Sequence, residues 1–269
     1  MSEHRARKRF GQHFLHDRNI INRILLAIAP QPHDCLVEIG PGLGAITLPL
    51  LERCGALIAV ELDRDVIPRL EAAASGKGSL RIVQGDALKI DFRTLVPTAA
   101  KLRLIGNLPY NISTPLLFHI LEQADAVHDM HFMLQKEVVQ RMAAKPGGRE
   151  YGRLTVMLAL RCRVEPLFNI GAGAFSPPPK VESSFVRLTP HRSPPFPVND
   201  PSHFARLVSQ AFSHRRKTLR NALQGMADEA LIRAAGIDPG ARPETLAAAD
   251  YARLSNLAEL AGVPAHVYS

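Results

Sequence analysis

From residue 34 to residue 136 one pattern recurs: a short apolar run, a glycine-rich or polar turn, then a segment with apolar positions at helical spacing. DCLVEIGPG, ALIAVELD, SLRIVQGDAL, KLRLIGNLPY and DMHFMLQKE read as strands running into turns. AITLPLLERC, RDVIPRLEAAA and TPLLFHILEQ read as helices between them, with Pro49 an awkward residue inside the first. A chain that alternates in this way forms a parallel sheet wrapped on both faces. Residues 18–29 add a helix in front, stopped by Pro30.

After YGRLTVMLALRC, a helix by its length, the rhythm changes. RVEPLFNI and KVESSFVRLTP are strand-like and close together, which predicts an antiparallel pair at the end of the sheet. The proline-rich PHRSPPFPVNDP reads as a linker. Beyond Ser202 the pattern is helical. The expected organisation is an α/β domain over 1–190, a linker over 191–201 and a small all-helical domain over 202–269.

The formal net charge is +8, which favours an acidic partner, nucleic acid first. Cys35, Cys54 and Cys162 are far apart and odd in number, as in a reduced cytosolic protein. Neither they nor the scattered histidines have metal-type spacing, so no metal is expected. No apolar run is long enough to cross a bilayer. The basic opening, with Arg5, Arg7, Lys8 and Arg9, lacks the apolar core of a signal peptide. No association motif stands out, and a monomer is expected.

The turn VEIGPGLGAIT sets Gly40, Gly42 and Gly44 between the first strand and its helix, where a backbone can approach a ligand closely. Glu61 ends the second strand, where a carboxylate can accept both hydroxyls of a ribose. Asp86 follows the third, where it can meet an adenine edge. Carboxyl ends of neighbouring strands are where open α/β sheets bind ligands. Each acid taken singly also fits plain surface charge. A nicotinamide cofactor would want G-x-G-x-x-G, and here the third glycine comes one residue early. Glu38, just before the turn, would repel a pyrophosphate but suits a cation. S-adenosylmethionine carries a sulfonium, an amine and an adenosine, and is the better match.

The fourth strand ends on the same edge as LIGNLPY, residues 104–110. These residues suit methyl transfer to an exocyclic adenine amine, whose lone pair is delocalised into the ring. Acceptors placed at its N–H groups favour the pyramidal nitrogen of the transition state. Asn107 offers a side-chain oxygen and Leu108 a backbone carbonyl. Pro109 has no N–H to compete and holds Leu108 extended. Tyr110 offers a flat face for a flipped base.

RKRFGQHFL, VEIGPGLGAIT, VELDRD, GDAL, GNLPYNIS, MLQKEV, YGRLTV, FSPPPKVESSFVRL and AFSHRRKTLRNAL span nearly the whole chain. In this order the segments closely resemble the ribosomal RNA adenine N6-methyltransferases, and within them the bacterial small-subunit branch. The resemblance implies a Rossmann-like class I methyltransferase sheet. It also implies dimethylation of two adjacent adenosines of 16S rRNA in 30S precursors. By the same resemblance His13 and Leu15 would line the methionine end of the cofactor, although many relatives carry Asn where His13 stands. Gly40 would touch the cofactor through its backbone, and Asn107 would face cofactor and target. Phe175 would form the second face of a base clamp with Tyr110, unless it is a core aromatic. Lys180 would lie near the RNA backbone.

SHRRKTLRN holds Arg215, Arg216, Lys217 and Arg220, which fit phosphate contacts or a solvated helix face. Two rival functions stay open. One is a large-subunit adenine methylase of the antibiotic-resistance type. The other is an rRNA-binding assembly factor whose catalysis is secondary. A DNA adenine methylase would want a separate base-reading module, and none is visible.

Overall fold

The structure, a computed structural model, describes residues 13–96, 100–214 and 216–261. Arg5, Arg7, Lys8, Arg9 and Arg215 lie outside the described residues. The described chain opens with β1 (Phe14–Leu15) and α1 (Arg18–Ile28). Asp17 caps α1, its carboxylate accepting from the Asn19 and Ile20 N–H groups at 2.8 and 3.2 Å. Those donors have no partner inside the helix.

The expected alternation follows as β2 (Cys35–Ile39), α2 (Thr47–Cys54), β3 (Ala56–Glu61), α3 (Ile67–Ala74), β4 (Ser79–Gln84), β5 (Leu102–Asn107), α4 (Ser113–Leu121) and β6 (Val127–Gln135). Pro49 is the third residue of α2. The ladder skips it: the Leu48 and Leu50 N–H groups bond the Gly44 and Ile46 carbonyls at 3.0 and 3.1 Å, and Pro49 has no N–H for Ala45. Next come α5 (Lys136–Met142), α6 (Arg153–Arg161), β7 (Cys162–Ile170), β8 (Phe175–Ser176) and β9 (Ser183–Pro190).

Among the described residues the main sheet has the order β4-β3-β2-β5-β6-β9-β7. The pairs β2–β3, β3–β4, β2–β5 and β5–β6 are parallel, and β6–β9 is antiparallel. The expected mostly parallel sheet with an antiparallel addition is therefore present. Edge position explains Pro166 in β7, since an edge strand can lack one ladder donor. The chain steps outward from β2 to β4, then returns to the other side of β2 as β5. The carboxyl ends of β2 and β5 thus flank a topological switch point, the preferred ligand site of such sheets. A second small ladder pairs β1 with β8, a contact across about 160 residues with no local signature in the sequence.

The chain divides into two compact units, residues 1–139 with 165–190, and 140–164 with 191–269. In the first, Leu36, Ile105, Met133 and Phe185 on one sheet face share a core with Ile24 and Leu25 of α1. The second contains α6 with α7 (Pro201–Ala211), α8 (Leu219–Ala222), α9 (Glu229–Ala234) and α10 (Ala248–Leu260). Its core gathers Val156, Phe204, Leu207, Leu219, Ile232 and Tyr251. KTLRNALQGM, which reads as a longer helix, forms only the single turn of α8. The Leu219 and Arg220 N–H groups bond to Ala241 and Pro239 carbonyls instead, and Gly225 turns the chain at φ 85°.

Candidate active site

A cavity of about 520 Å³ opens at the carboxyl ends of β2, β3, β4 and β5, within the first unit. That volume suits a small-molecule ligand. His13, Leu15, Gly40, Gly42, Glu61, Asp86 and Asn107, the expected cofactor residues, all line it. Leu108, Pro109 and Tyr110 line it too.

The turn after β2 needs its glycines. Gly42 has φ 55°, a left-handed conformation, and a Cβ there would stand 3.3 Å from the Phe14 ring. Gly106 in β5 is required by proximity: a Cβ would lie 2.6 Å from the Ile39 carbonyl oxygen. The two strand ends therefore approach closely, and the glycine turn sits beside Asn107.

Glu61 is held ready at the end of β3. One carboxylate oxygen accepts from the Asp63 N–H at 2.8 Å and the other from the Gly42 N–H at 3.4 Å. Burial still pushes its carboxyl above the usual range, against the pull of those bonds. Asp86 follows β4 and spends one oxygen on the Leu88 N–H at 3.0 Å. Glu38 is only 2% exposed, and its carboxyl is pushed up to about 7 by burial. The Thr47 hydroxyl, donating at 2.6 Å, lowers it and the Glu61 charge raises it again. The result is a concentration of acidic groups in a partly dry cavity, which attracts a cation.

At the end of β5 the Asn107 side-chain N–H donates to the His13 carbonyl at 3.0 Å. This orients the amide, and among the described residues nothing donates to its oxygen. The Leu108 N–H is taken by the Met133 carbonyl at 3.2 Å, while its own carbonyl has no donor among the described residues. Asn107 and Leu108 both line the cavity, and each carries an acceptor with no donor among the described residues. The Tyr110 hydroxyl is 2.9 Å from the Ser183 hydroxyl, which fixes the ring at its far end.

Other expected residues lie elsewhere. Phe175 is 3% exposed and its ring joins the core with Leu15, Ile24 and Phe185 instead of facing the cavity. The register explains this: Phe175 pairs with Leu15, and the two side chains turn to the same inner face. Lys180 is exposed on the loop between β8 and β9. Arg216 and Lys217 are exposed and without an ion-pair partner among the described residues, whereas Arg220 bonds Glu229 at 3.0 Å. The sequence reading missed Leu62 and Leu88 as lining residues. Leu62 is 51% exposed directly after Glu61, and a large apolar residue following a strand-end acid was the available signal.

The profile of the ribosomal RNA adenine dimethylases matches residues 3–260. The chain is 58% identical over 252 residues to a ribosomal RNA small subunit methyltransferase A of Nitrosococcus oceani, covering 94% of this chain and 96% of that one. It is 56% identical to the protein of that name from Pseudomonas aeruginosa, covering 97% of each. Among solved structures, a dimethyladenosine transferase from Plasmodium falciparum superposes with a TM-score of 0.76 at 25% identity, covering 93% of this chain and 99% of that one. A 23S rRNA methyltransferase, ErmE, shares the fold with a TM-score of 0.72 at 24% identity, covering 91% and 99%. A glycine turn beside strand-end acceptors had pointed to adenine methylation, and with a profile match over nearly its whole length the chain belongs to the ribosomal RNA adenine dimethylase family.

Proposed function

We propose that this enzyme uses S-adenosylmethionine to dimethylate the N6 amines of two adjacent adenosines in 16S rRNA, on 30S precursors, as a cytoplasmic monomer. The observation that carries the chemistry is the pair of acceptors, Asn107 Oδ1 and the Leu108 carbonyl, that have no donor among the described residues, beside the glycine turn. The names of the relatives support the small-subunit substrate. Incubation of 30S particles with labelled S-adenosylmethionine, followed by mass analysis of nucleosides, tests it. Dimethyladenosine in 16S rRNA is expected. Label confined to 23S rRNA in whole ribosomes would sink the small-subunit assignment.

The residues present fit the cofactor. Gly40 and Gly42 line the cavity, and a Cβ on Gly42 would press on the Phe14 ring of the same lining. Glu61 offers a carboxylate to the ribose, Asp86 to the adenine, and Glu38 a buried charge to the cationic end. Leu15 closes the methionine side, beside the main chain of His13. When bound, S-adenosylmethionine supplies an electrophilic methyl group on sulfur. Asn107 Oδ1 and the Leu108 carbonyl accept from the amine N–H groups and draw the nitrogen lone pair out of the ring. Tyr110 stacks on the base. Alkylation makes the amine acidic, so its proton departs without a strong base. Phe175 pairs with Leu15 in the β1–β8 ladder and packs into the core beside it.

Glu61→Ala removes the ribose acceptor and lowers cofactor affinity about ten- to a hundredfold, the scale of hydrogen bonds to a charged group. Calorimetric titration giving an unchanged dissociation constant would refute this placement. Glu38 adds a pH dependence. A cationic ligand favours the ionised carboxylate, so affinity rises as pH increases through about 7. Titrations from acid to alkaline pH should show the rise in the parent and a flat profile in Glu38→Gln.

A single adenine cannot identify one rRNA site, so the discriminating contacts lie outside the pocket, in shape and phosphate positions. The 202–269 segment, with Arg216 and Lys217 exposed and Arg220 paired, is the proposed recognition domain, and Arg215 belongs to the same run. Lys180 is a further phosphate contact. Replacing Arg216 and Lys217 with Ala weakens particle binding and flattens its salt dependence by up to about 0.9 log unit per lost duplex phosphate contact. Cofactor binding survives. Binding across a salt series with the parent's slope would make the run a solvated face.

A further inference from the structure

The family resemblance implies that His13 lines the cofactor's methionine end, and its contacts tie its side chain to the methyl-accepting side. Its main-chain carbonyl accepts the Asn107 side-chain N–H at 3.0 Å. Its imidazole faces Tyr110, with ring centroids 6.1 Å apart and planes 29° from parallel. Its Nδ1 lies 2.7 Å from the Pro177 carbonyl oxygen. A carbonyl oxygen only accepts, so Nδ1 carries the proton and donates.

The small ladder explains why the carbonyl is available. Phe14 pairs with Ser176, and the His16 N–H bonds the Ala174 carbonyl at 2.9 Å. Hydrogen-bonded and non-hydrogen-bonded pairs alternate along an antiparallel ladder. Along β1 itself, His16 turns its main-chain groups toward the 174–176 segment and Phe14 does the same two residues earlier, so those of His13, one residue before Phe14, point away from β8. The carbonyl is therefore free for Asn107. The imidazole supplies the cross-strand bond at a position where the main chain makes none, and so pins the end of β1 to the 176–177 segment.

We propose that His13 is a positioning residue for the target adenine: its carbonyl aims the Asn107 amide, and its ring braces the Tyr110 ring, whose hydroxyl is held by Ser183. The inference rests on the N6-methylation reading and adds to it a residue that acts through Asn107 and Tyr110. Without the Nδ1 bond, a two-residue strand must hold the carbonyl alone. Asn107 would then lose its fixed orientation and present donor or acceptor to the amine indifferently.

Three variants separate the parts. His13→Ala removes ring and donor. His13→Asn keeps an N–H near the place of Nδ1 without the ring, and His13→Phe keeps the ring without the donor. Single-turnover methylation of 30S particles is measured at saturating cofactor, alongside calorimetric titration of S-adenosylmethionine. For His13→Ala the rate falls about tenfold or more, the combined scale of one hydrogen bond and one ring contact. Cofactor affinity stays within about threefold, which also shows that the variant folds. His13→Asn recovers more of the rate than His13→Phe. An unchanged rate in His13→Ala overturns the inference, as does a defect confined to cofactor affinity. A parent enzyme that binds the cofactor but leaves the particles unmodified overturns the functional reading, and this inference with it. The parent arm thus reads one claim and the variant arms the other.

Discussion

Asn107→Ala lowers the rate of methyl transfer to 30S particles by two to three orders of magnitude and leaves particle affinity nearly unchanged. The adenine amine is a poor nucleophile because its lone pair belongs to the ring, and an acceptor at its N–H gains strength only as the nitrogen becomes pyramidal. Losing a contact of this transition-state type costs about 2.7–4 kcal/mol. Asn107 is oriented for the task, since its N–H is committed to the His13 carbonyl at 3.0 Å and its oxygen has no donor among the described residues. Binding to particles depends mainly on phosphate contacts, which Asn107 does not make. Single-turnover rates with enzyme in excess, together with filter binding, check both halves. Asn107→Asp sharpens the test. It keeps an acceptor but sets a carboxylate oxygen against the His13 carbonyl, so it also loses most of the activity. Near-normal turnover in the Ala variant would dismiss the mechanism.

Arg103→Met destabilises the protein by about 3–5 kcal/mol, the cost of leaving buried charges without their partner. Arg103 lies in β5, and its guanidinium bonds Asp129 of β6 through two N–H groups, each at 3.0 Å. It also donates to Asp34 at 2.6 Å and to the Ile28 carbonyl at the end of α1 at 2.7 Å. One side chain thereby joins a helix end, the lead-in to β2 and two strands. Asp129 also lies 3.8 Å from His131 Nδ1, but burial pushes His131 down to about 4. That imidazole is neutral at pH 7, so Arg103 supplies the positive charge. Urea unfolding should show the midpoint falling with little change in slope, and adding Asp129→Leu should return part of the loss. A cost below about 1 kcal/mol would class the cluster with surface pairs.

The fold class and most of the cavity were legible in the residues. Each strand of the alternation ends in its own short motif, and a parallel sheet brings such ends to one edge whatever the detailed packing. Glu61, Asp86, Asn107 and the glycine turn could thus be grouped without coordinates. Phe175 could not be placed in the same way. An aromatic before a proline-rich loop suits a clamp or a core equally, and only its pairing with Leu15 turns it inward. Leu62 escaped because an exposed leucine carries no periodic signal.

Local chemistry therefore accounts for the strands, the left-handed glycines, the helix cap at Asp17 and the acceptor pair at Asn107 and Leu108. These depend on residues within a few positions of one another. Tertiary structure decided the rest. It joined β1 to β8, freed the His13 carbonyl for Asn107, set Arg103 between Asp34 and Asp129, and grouped residues 140–164 with the C-terminal helices. Such contacts form between segments far apart in the chain, chosen by which apolar faces bury one another and which buried polar groups find partners. Residues within each segment carry half of that information, and the other half lies on the surface they meet.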